Sequence, residues 1–200
     1  MAKELVLILG GARSGKSSYA QAMAGRLGGR VLFVATAQPL DEEMAWRIKE
    51  HRRRRPQGWR TVEIAADVGR KLGDEIGDSD VVLLDCLTLL VSNVVTRVGP
   101  GALENPAPGA IPNEAAGLKQ AEIAGAERLV VGEVEDLIAC IGKYDGTFIV
   151  VSNEVGLGLV PDNQLGRLYR DLLGRANQLL AQQAHQVYFM VSGIPVKIKG

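Results

Sequence analysis

The residues predict a single α/β domain built on a mostly parallel sheet with helices on both faces. Three observations carry this. Short apolar, β-branched runs recur along the chain; stretches of helical periodicity separate them; and the first run passes through a glycine-rich loop straight into a helix. No 20–50-residue repeat interrupts the pattern, and 200 residues suit one domain with a full core.

Taken in order, Glu4–Leu9 is the first strand, and Gly10-Gly11-Ala12-Arg13-Ser14-Gly15-Lys16-Ser17 follows it as G-x-x-x-x-G-K-[ST] before a helix over Lys16–Leu27. In that strand–loop–helix setting, glycines let successive N–H groups turn onto an anion, and the new helix adds the positive end of its dipole. Residues 10–17 are therefore the candidate nucleotide-binding loop. Lys16 reaches the β/γ-phosphates, and Ser17 is a ligand for Mg²⁺. A nucleoside triphosphate, GTP or ATP, with Mg²⁺ is the implied ligand set.

A second strand, Arg30–Ala35, ends at Thr36 and leads to a helix over Asp41–Arg54, acidic at its start and basic at its end as the macrodipole favours. A helix over Asp67–Ile76 precedes the strand Asp80–Leu84, whose apolar run stops at Asp85, a second candidate Mg²⁺ ligand on the same rim. Helices over Leu87–Val98 and Glu114–Gly142 flank Gly99–Pro112. That segment holds Pro100, Pro106, Pro108 and Pro112, cannot continue a helix or central strand, and reads as a surface loop at about 99–112. It suits a tolerated insertion or a substrate lid equally well.

The strand Thr147–Ser152 runs into Asn153-Glu154 and a loop with Gly156 and Gly158, where glycine permits close backbone approach to a ligand. Glu154 is a candidate for orienting substrate or metal-bound water; it equally suits a simple cap. A helix over Gln164–Gln183, a strand over Gln186–Val191 and a last strand near Pro195–Ile198 complete the fold.

Composition excludes several classes. Hydrophobic residues at 46% and charged residues at 23% are ordinary for a soluble globular protein, and a formal net charge of zero gives no bias toward nucleic acid or anionic membrane. Cys86 and Cys140 form no C-x-x-C or Cys/His cluster, so a zinc site or disulfide framework is not expected and a reducing cytoplasm fits. No apolar stretch approaches the roughly 18 residues of a membrane span, and no secretory signal is legible.

The most distinctive segment is Asp41–Pro56. Met44, Arg47, Ile48 and His51 share one helical face, so packing of Met44 and Ile48 on the domain would hold His51 against it. Arg47, Lys49, Arg52, Arg53, Arg54, Arg55 and Arg60 surround that imidazole with positive charge, which attracts phosphates, Arg52 among the candidate contacts, and favours a neutral, nucleophilic His51. A lone structural histidine and a solvated basic helix end are the plainer readings. Without aromatics beyond Trp46 and Trp59, nucleic acid is not the expected partner.

GGARSGKS, Ala35-Thr36-Ala37-Gln38, the Asp41–Pro56 block with His51 and Arg55-Pro56, Leu84-Asp85-Cys86-Leu87-Thr88, Asn153–Pro161 as NEVGLGLVP, Arg170-Asp171 with Gly174-Arg175-Ala176-Asn177, and Val191-Ser192-Gly193 together resemble the bifunctional adenosylcobinamide kinase / adenosylcobinamide-phosphate guanylyltransferase family of cobalamin biosynthesis. The similarity covers nearly the whole chain. It implies a P-loop NTPase-like (RecA-like or Rossmann-like) subunit in a homotrimer, a corrinoid substrate, phosphorylation of adenosylcobinamide by ATP or GTP, and guanylylation of a histidine by GTP before GMP passes to the phosphorylated acceptor. The matching histidine is His51; Lys16 and Glu154 are the other catalytic candidates, and Thr36, Arg52 and Asp85 join residues 10–17 as nucleotide contacts. Two alternatives remain: a plain P-loop kinase of another small molecule, with His51 structural, and a nucleotide-dependent switch.

Overall fold

A computed structural model describes residues 3–39, 41–53, 55–97 and 118–200, apart from the side chain of Arg47. Its strands are β1 (Glu4–Gly10), β2 (Val31–Ala35), β3 (Arg60–Glu63), β4 (Val81–Asp85), β5 (Thr147–Val151), β6 (Gln186–Val191) and β7 (Ile194–Lys199). The helices are α1 (Lys16–Leu27), α2 (Glu42–Arg53), α3 (Val68–Glu75), α4 (Leu87–Val95), α5 (Gln120–Lys143) and α6 (Gln164–Gln183). The expected Gly99–Pro112 surface loop and the expected helix start at Glu114 lie outside the described residues.

One seven-stranded sheet runs in the order β3-β2-β4-β5-β1-β6-β7, with β7 antiparallel to β6 and every other pairing parallel. Alternation along the strands divides the core. Leu5, Leu7 and Leu9 of β1 and Val82 and Leu84 of β4 face the cluster filled by α3, α4, α5 and α6, while Val6, Ile8, Val81 and Leu83 face Ala20 and Ala24 of α1. Central strands buried on both faces therefore read as unbroken apolar runs. Each fully buried large side chain, such as Phe33 or Phe148, contributes roughly 1.5–3 kcal/mol of transfer free energy. Among the described residues no helix is long and apolar enough to cross a membrane.

One strand departs from expectation. The strand β3 has no counterpart among the expected strands, because Arg-Thr-Val-Glu is polar and mostly exposed. It is an edge strand identified by its bonds to β2, Leu32 opposite Arg60 through Ala35 opposite Glu63, and edge strands commonly carry charge. The expected last strand near Pro195–Ile198 is β7, one residue longer at each end, and the chain turns back into it through Ser192 and Gly193, both at positive φ (50° and 85°), the geometry of a two-residue hairpin turn.

The helices α3 and α5 meet at Gly69, where a Cβ would lie inside the backbone of Asp136 and Leu137. Backbone cannot give way as a flexible side chain does. Gly69→Ala is therefore expected to cost about 3 kcal/mol, the upper end for overpacking, read as a lower urea midpoint at unchanged slope.

Candidate active site

Because β1 to β5 run in parallel, Gly10, Ala35, Glu63, Asp85 and Val151 end on one rim, where ligands collect in such sheets. The loop at residues 10–17 needs its glycines. A Cβ at Gly10 would approach Met190 O to 2.7 Å and Ser14 Oγ to 2.8 Å, and Gly15 sits at φ 93° as the N-cap of α1. Gly11, Ala12 and Arg13 form the exposed crest, with Arg13 at φ 56°. Neighbours fix the loop from both sides: Gly193 N–H donates to Ser14 O at 3.0 Å, and Glu154 N–H donates to Gly10 O at 3.1 Å. The turn between β6 and β7 is thus a clamp on the loop. Ser14 Oγ is buried without a hydrogen-bond partner.

Lys16 is buried, and its Nζ donates to Gly11 O at 2.6 Å. Burial lowers its pKa, while the charges of Cys86 and Asp85 act the other way. Across the rim, Asp85 Oδ2 is buried with no hydrogen-bond partner. Desolvation raises the carboxyl's pKa, opposed by a hydrogen bond from Ser17 and by the charges of His51, Arg55 and Lys16. One carboxylate thus draws Ser17, Lys16, Arg55 and His51 together.

Thr36 and Arg52 each have a protein partner. Thr36 is fully buried, and its hydroxyl donates to Cys86 O at 2.7 Å while accepting from Cys86 N–H at 2.9 Å. Arg52 pairs with Glu63 on β3. Glu154 accepts from Gly156 N–H at 3.2 Å, closing a local turn, while its main chain holds Gly10.

His51 is exposed, which corrects the expectation that its helical face holds it against the domain. Met44 and Ile48 are only half-buried and belong to neither core cluster, so α2 rides on the rim rather than packing into the body. His51 still acts electrostatically on Asp85. Sequence reasoning leaves Arg55 inside a basic run. Its guanidinium lies 3.9 Å over the Phe33 ring, with Nε buried and unpartnered, and desolvation lowers its pKa. The family pattern includes Arg55-Pro56, but the contact with Phe33 is not legible in it, since it depends on β2 and the segment after α2 meeting in space.

A buried network supports Glu154. Asn153 N–H donates to Thr88 Oγ1 at 2.7 Å, Asn177 Nδ2 donates to Asn153 O at 3.0 Å, and Ser152 Oγ donates to Asn177 Oδ1 at 2.7 Å. Among the described residues no group of three or more His, Cys, Asp or Glu could hold a metal by itself. Ser17 with the unpartnered Asp85 Oδ2 fits the other kind of site, in which Mg²⁺ takes one or two protein oxygens and completes its shell from phosphates and water. A separate concavity of about 840 Å³ lies at the amino ends of the strands, but Arg30 there is already paired with Asp78 and Asp80.

Residues 6–198 match the family described as cobinamide kinase / cobinamide phosphate guanyltransferase. The chain is 40% identical over 195 residues to the bifunctional adenosylcobalamin biosynthesis protein CobU of Escherichia coli, covering 98% of this chain and 99% of that one. It matches the protein of the same name from Salmonella typhimurium with the same identity and coverage. To the bifunctional adenosylcobalamin biosynthesis protein CobP of Pseudomonas aeruginosa it is 39% identical, covering 97% of this chain and 96% of that one.

Proposed function

This chain belongs to the cobinamide kinase / cobinamide phosphate guanyltransferase family, and we propose that it performs both reactions at the rim built around Asp85. The carrying observation is that Lys16 and Ser17 from the phosphate-binding loop, Arg55 from beyond α2, and His51 from α2 all act on that one buried carboxylate.

In the first reaction the γ-phosphoryl group of ATP or GTP passes to the hydroxyl of adenosylcobinamide. The transition state is loose, so positioning and charge stabilisation dominate. The amides of residues 10–17 and the Lys16 ammonium hold the phosphates, and Glu154 orients the acceptor hydroxyl or a water. Ser17 and Asp85 would hold Mg²⁺, which would supply charge neutralisation to the phosphates.

In the second reaction a ring nitrogen of His51 attacks the α-phosphorus of GTP. A P–N bond forms as the α–β P–O bond breaks, and pyrophosphate leaves with Arg52 and Arg55 compensating its charge. The phosphate of adenosylcobinamide phosphate then attacks the same phosphorus, the P–N bond breaks, imidazole is regenerated, and adenosylcobinamide-GDP results. The covalent step divides one hard displacement into two easier ones. An exposed His51 on a rim helix suits a group that must meet a nucleotide and then an acceptor. The family resemblance further supports a cytoplasmic homotrimer, which sedimentation of the purified chain tests.

Product analysis tests the reading. With cobinamide, ATP and Mg²⁺ the protein should give cobinamide phosphate and ADP; adding GTP should give the GDP-linked corrinoid and one pyrophosphate per product. Phosphate transfer without pyrophosphate release from GTP would instead establish the plain kinase.

A further inference from the structure

We propose that Asn93 is a positioning residue for guanylyl transfer, setting where the arm that carries His51 stands relative to the phosphate-binding loop. The inference rests on the two-reaction reading above.

Asn93 lies on α4 and is buried. Its Nδ2 donates to Thr36 O at 2.8 Å and to Ala65 O at 2.9 Å. Both partners are carbonyls, which only accept, so the amide must present its NH₂ group to them. Thr36 is where the chain leaves β2, and Ala65 is where it returns after β3. Everything between them forms one excursion, and it carries His51, Arg52, Arg55 and Glu63. One side chain therefore ties both ends of the excursion to a buried helix.

The far part of the arm is well fixed: β3 is laddered to β2, Arg60 donates to Glu75 O and Ile76 O at the end of α3, and Val62 and Ile64 pack on the core. The α2 part is held less firmly, since of its described side chains none is buried; Arg55 on Phe33 and Trp59 against the α1-side cluster anchor the segment after it, and Ile64 N–H to Ala35 O at 2.9 Å closes the base through the main chain. The phosphate-binding loop is held independently, by Gly193 and by Glu154. Loss of the Asn93 donors would leave the buried Thr36 carbonyl and the part-buried Ala65 carbonyl without this partner and free the base of the arm to shift, without touching those loop anchors. Guanylyl transfer needs His51 in line with the α-phosphorus, whereas phosphoryl transfer to the acceptor does not use the arm's histidine. The two reactions should respond unequally.

The test compares wild type, Asn93→Leu, which keeps a branched shape without donors, and Asn93→Ser, which keeps one donor and secures a folded variant if the leucine is not tolerated. Phosphoryl transfer and GTP-dependent pyrophosphate release are measured on the same preparations, with thermal melting alongside. Since misplacement by about 1 Å can cost about 100-fold, guanylyl transfer should fall at least about tenfold in Asn93→Leu and less in Asn93→Ser, with phosphoryl transfer within about threefold of wild type. Equal losses in both reactions, no loss in either, or a loss confined to phosphoryl transfer would overturn the positioning role. Absence of pyrophosphate release in wild type would overturn the two-reaction reading itself, and is seen before any variant is made.

Discussion

Lys16→Ala is expected to abolish both reactions together. In the proposed mechanism the ammonium is the cation that the loop brings to the phosphates, and it stands in a buried setting beside Asp85, where charge interactions are less screened than in water. Loss of one such preorganised donor costs about 10²–10³ in kcat. Both γ- and α-phosphorus chemistry draw on the same cradle, so the factors should be similar, in contrast to Asn93→Leu. Lys16→Arg should not rescue, because a planar guanidinium cannot take the place of a compact ammonium donating to Gly11 O at 2.6 Å. Steady-state kcat for each product checks this.

Asp85→Asn is expected to move activity and stability in opposite directions. If Asp85 and Ser17 hold Mg²⁺ as proposed, removing the charge should cost activity by a factor on the order of 10²–10³. Yet Oδ2 is buried without a partner, and desolvation outweighs the favourable neighbours, since the carboxyl's pKa is raised. The neutral amide should therefore stabilise the nucleotide-free protein by about 1–2 kcal/mol near pH 7. That corresponds to roughly 2–8 °C in Tm for a chain of this size. The sign follows from linkage: a carboxyl titrating higher in the folded than in the unfolded state loses stability as pH rises from the ordinary carboxylate range to its folded value. The gap between the melting temperatures of Asp85→Asn and wild type should widen over that window and then level off. A site carboxylate that weakens the fold is a cost of function.

Much of this is legible in the chain. The bounds of α1, α6 and β6 match the expected ones to the residue; the loop motif marks the start of α1, and in the structure the Asn163 side chain caps α6 by accepting from Gly166 N–H. Strand endings alone bring Lys16, Ser17 and Asp85 to one rim. What a linear reading does not carry are relations set by tertiary contact. A polar edge strand such as β3 has no periodic signal, and the Arg55 stack on Phe33 joins two separate segments. Thr36 is a nucleotide contact only by family resemblance, and the linear reading does not show that its hydroxyl is bonded to Cys86. His51 shares a face with Met44 and Ile48 as the helical period requires, yet that face is only partly covered, so periodicity alone overstates its burial.

The central claim, a covalent GMP on His51, is tested most directly by incubating the wild-type protein and His51→Ala with Mg²⁺ and α-labelled GTP, denaturing, and measuring label retained on the chain. Acid-labile, alkali-stable label on wild type and none on His51→Ala is the predicted result, with phosphoryl transfer to cobinamide kept in the variant. Label that persists in His51→Ala, or none on a wild type shown to bind GTP, would contradict it.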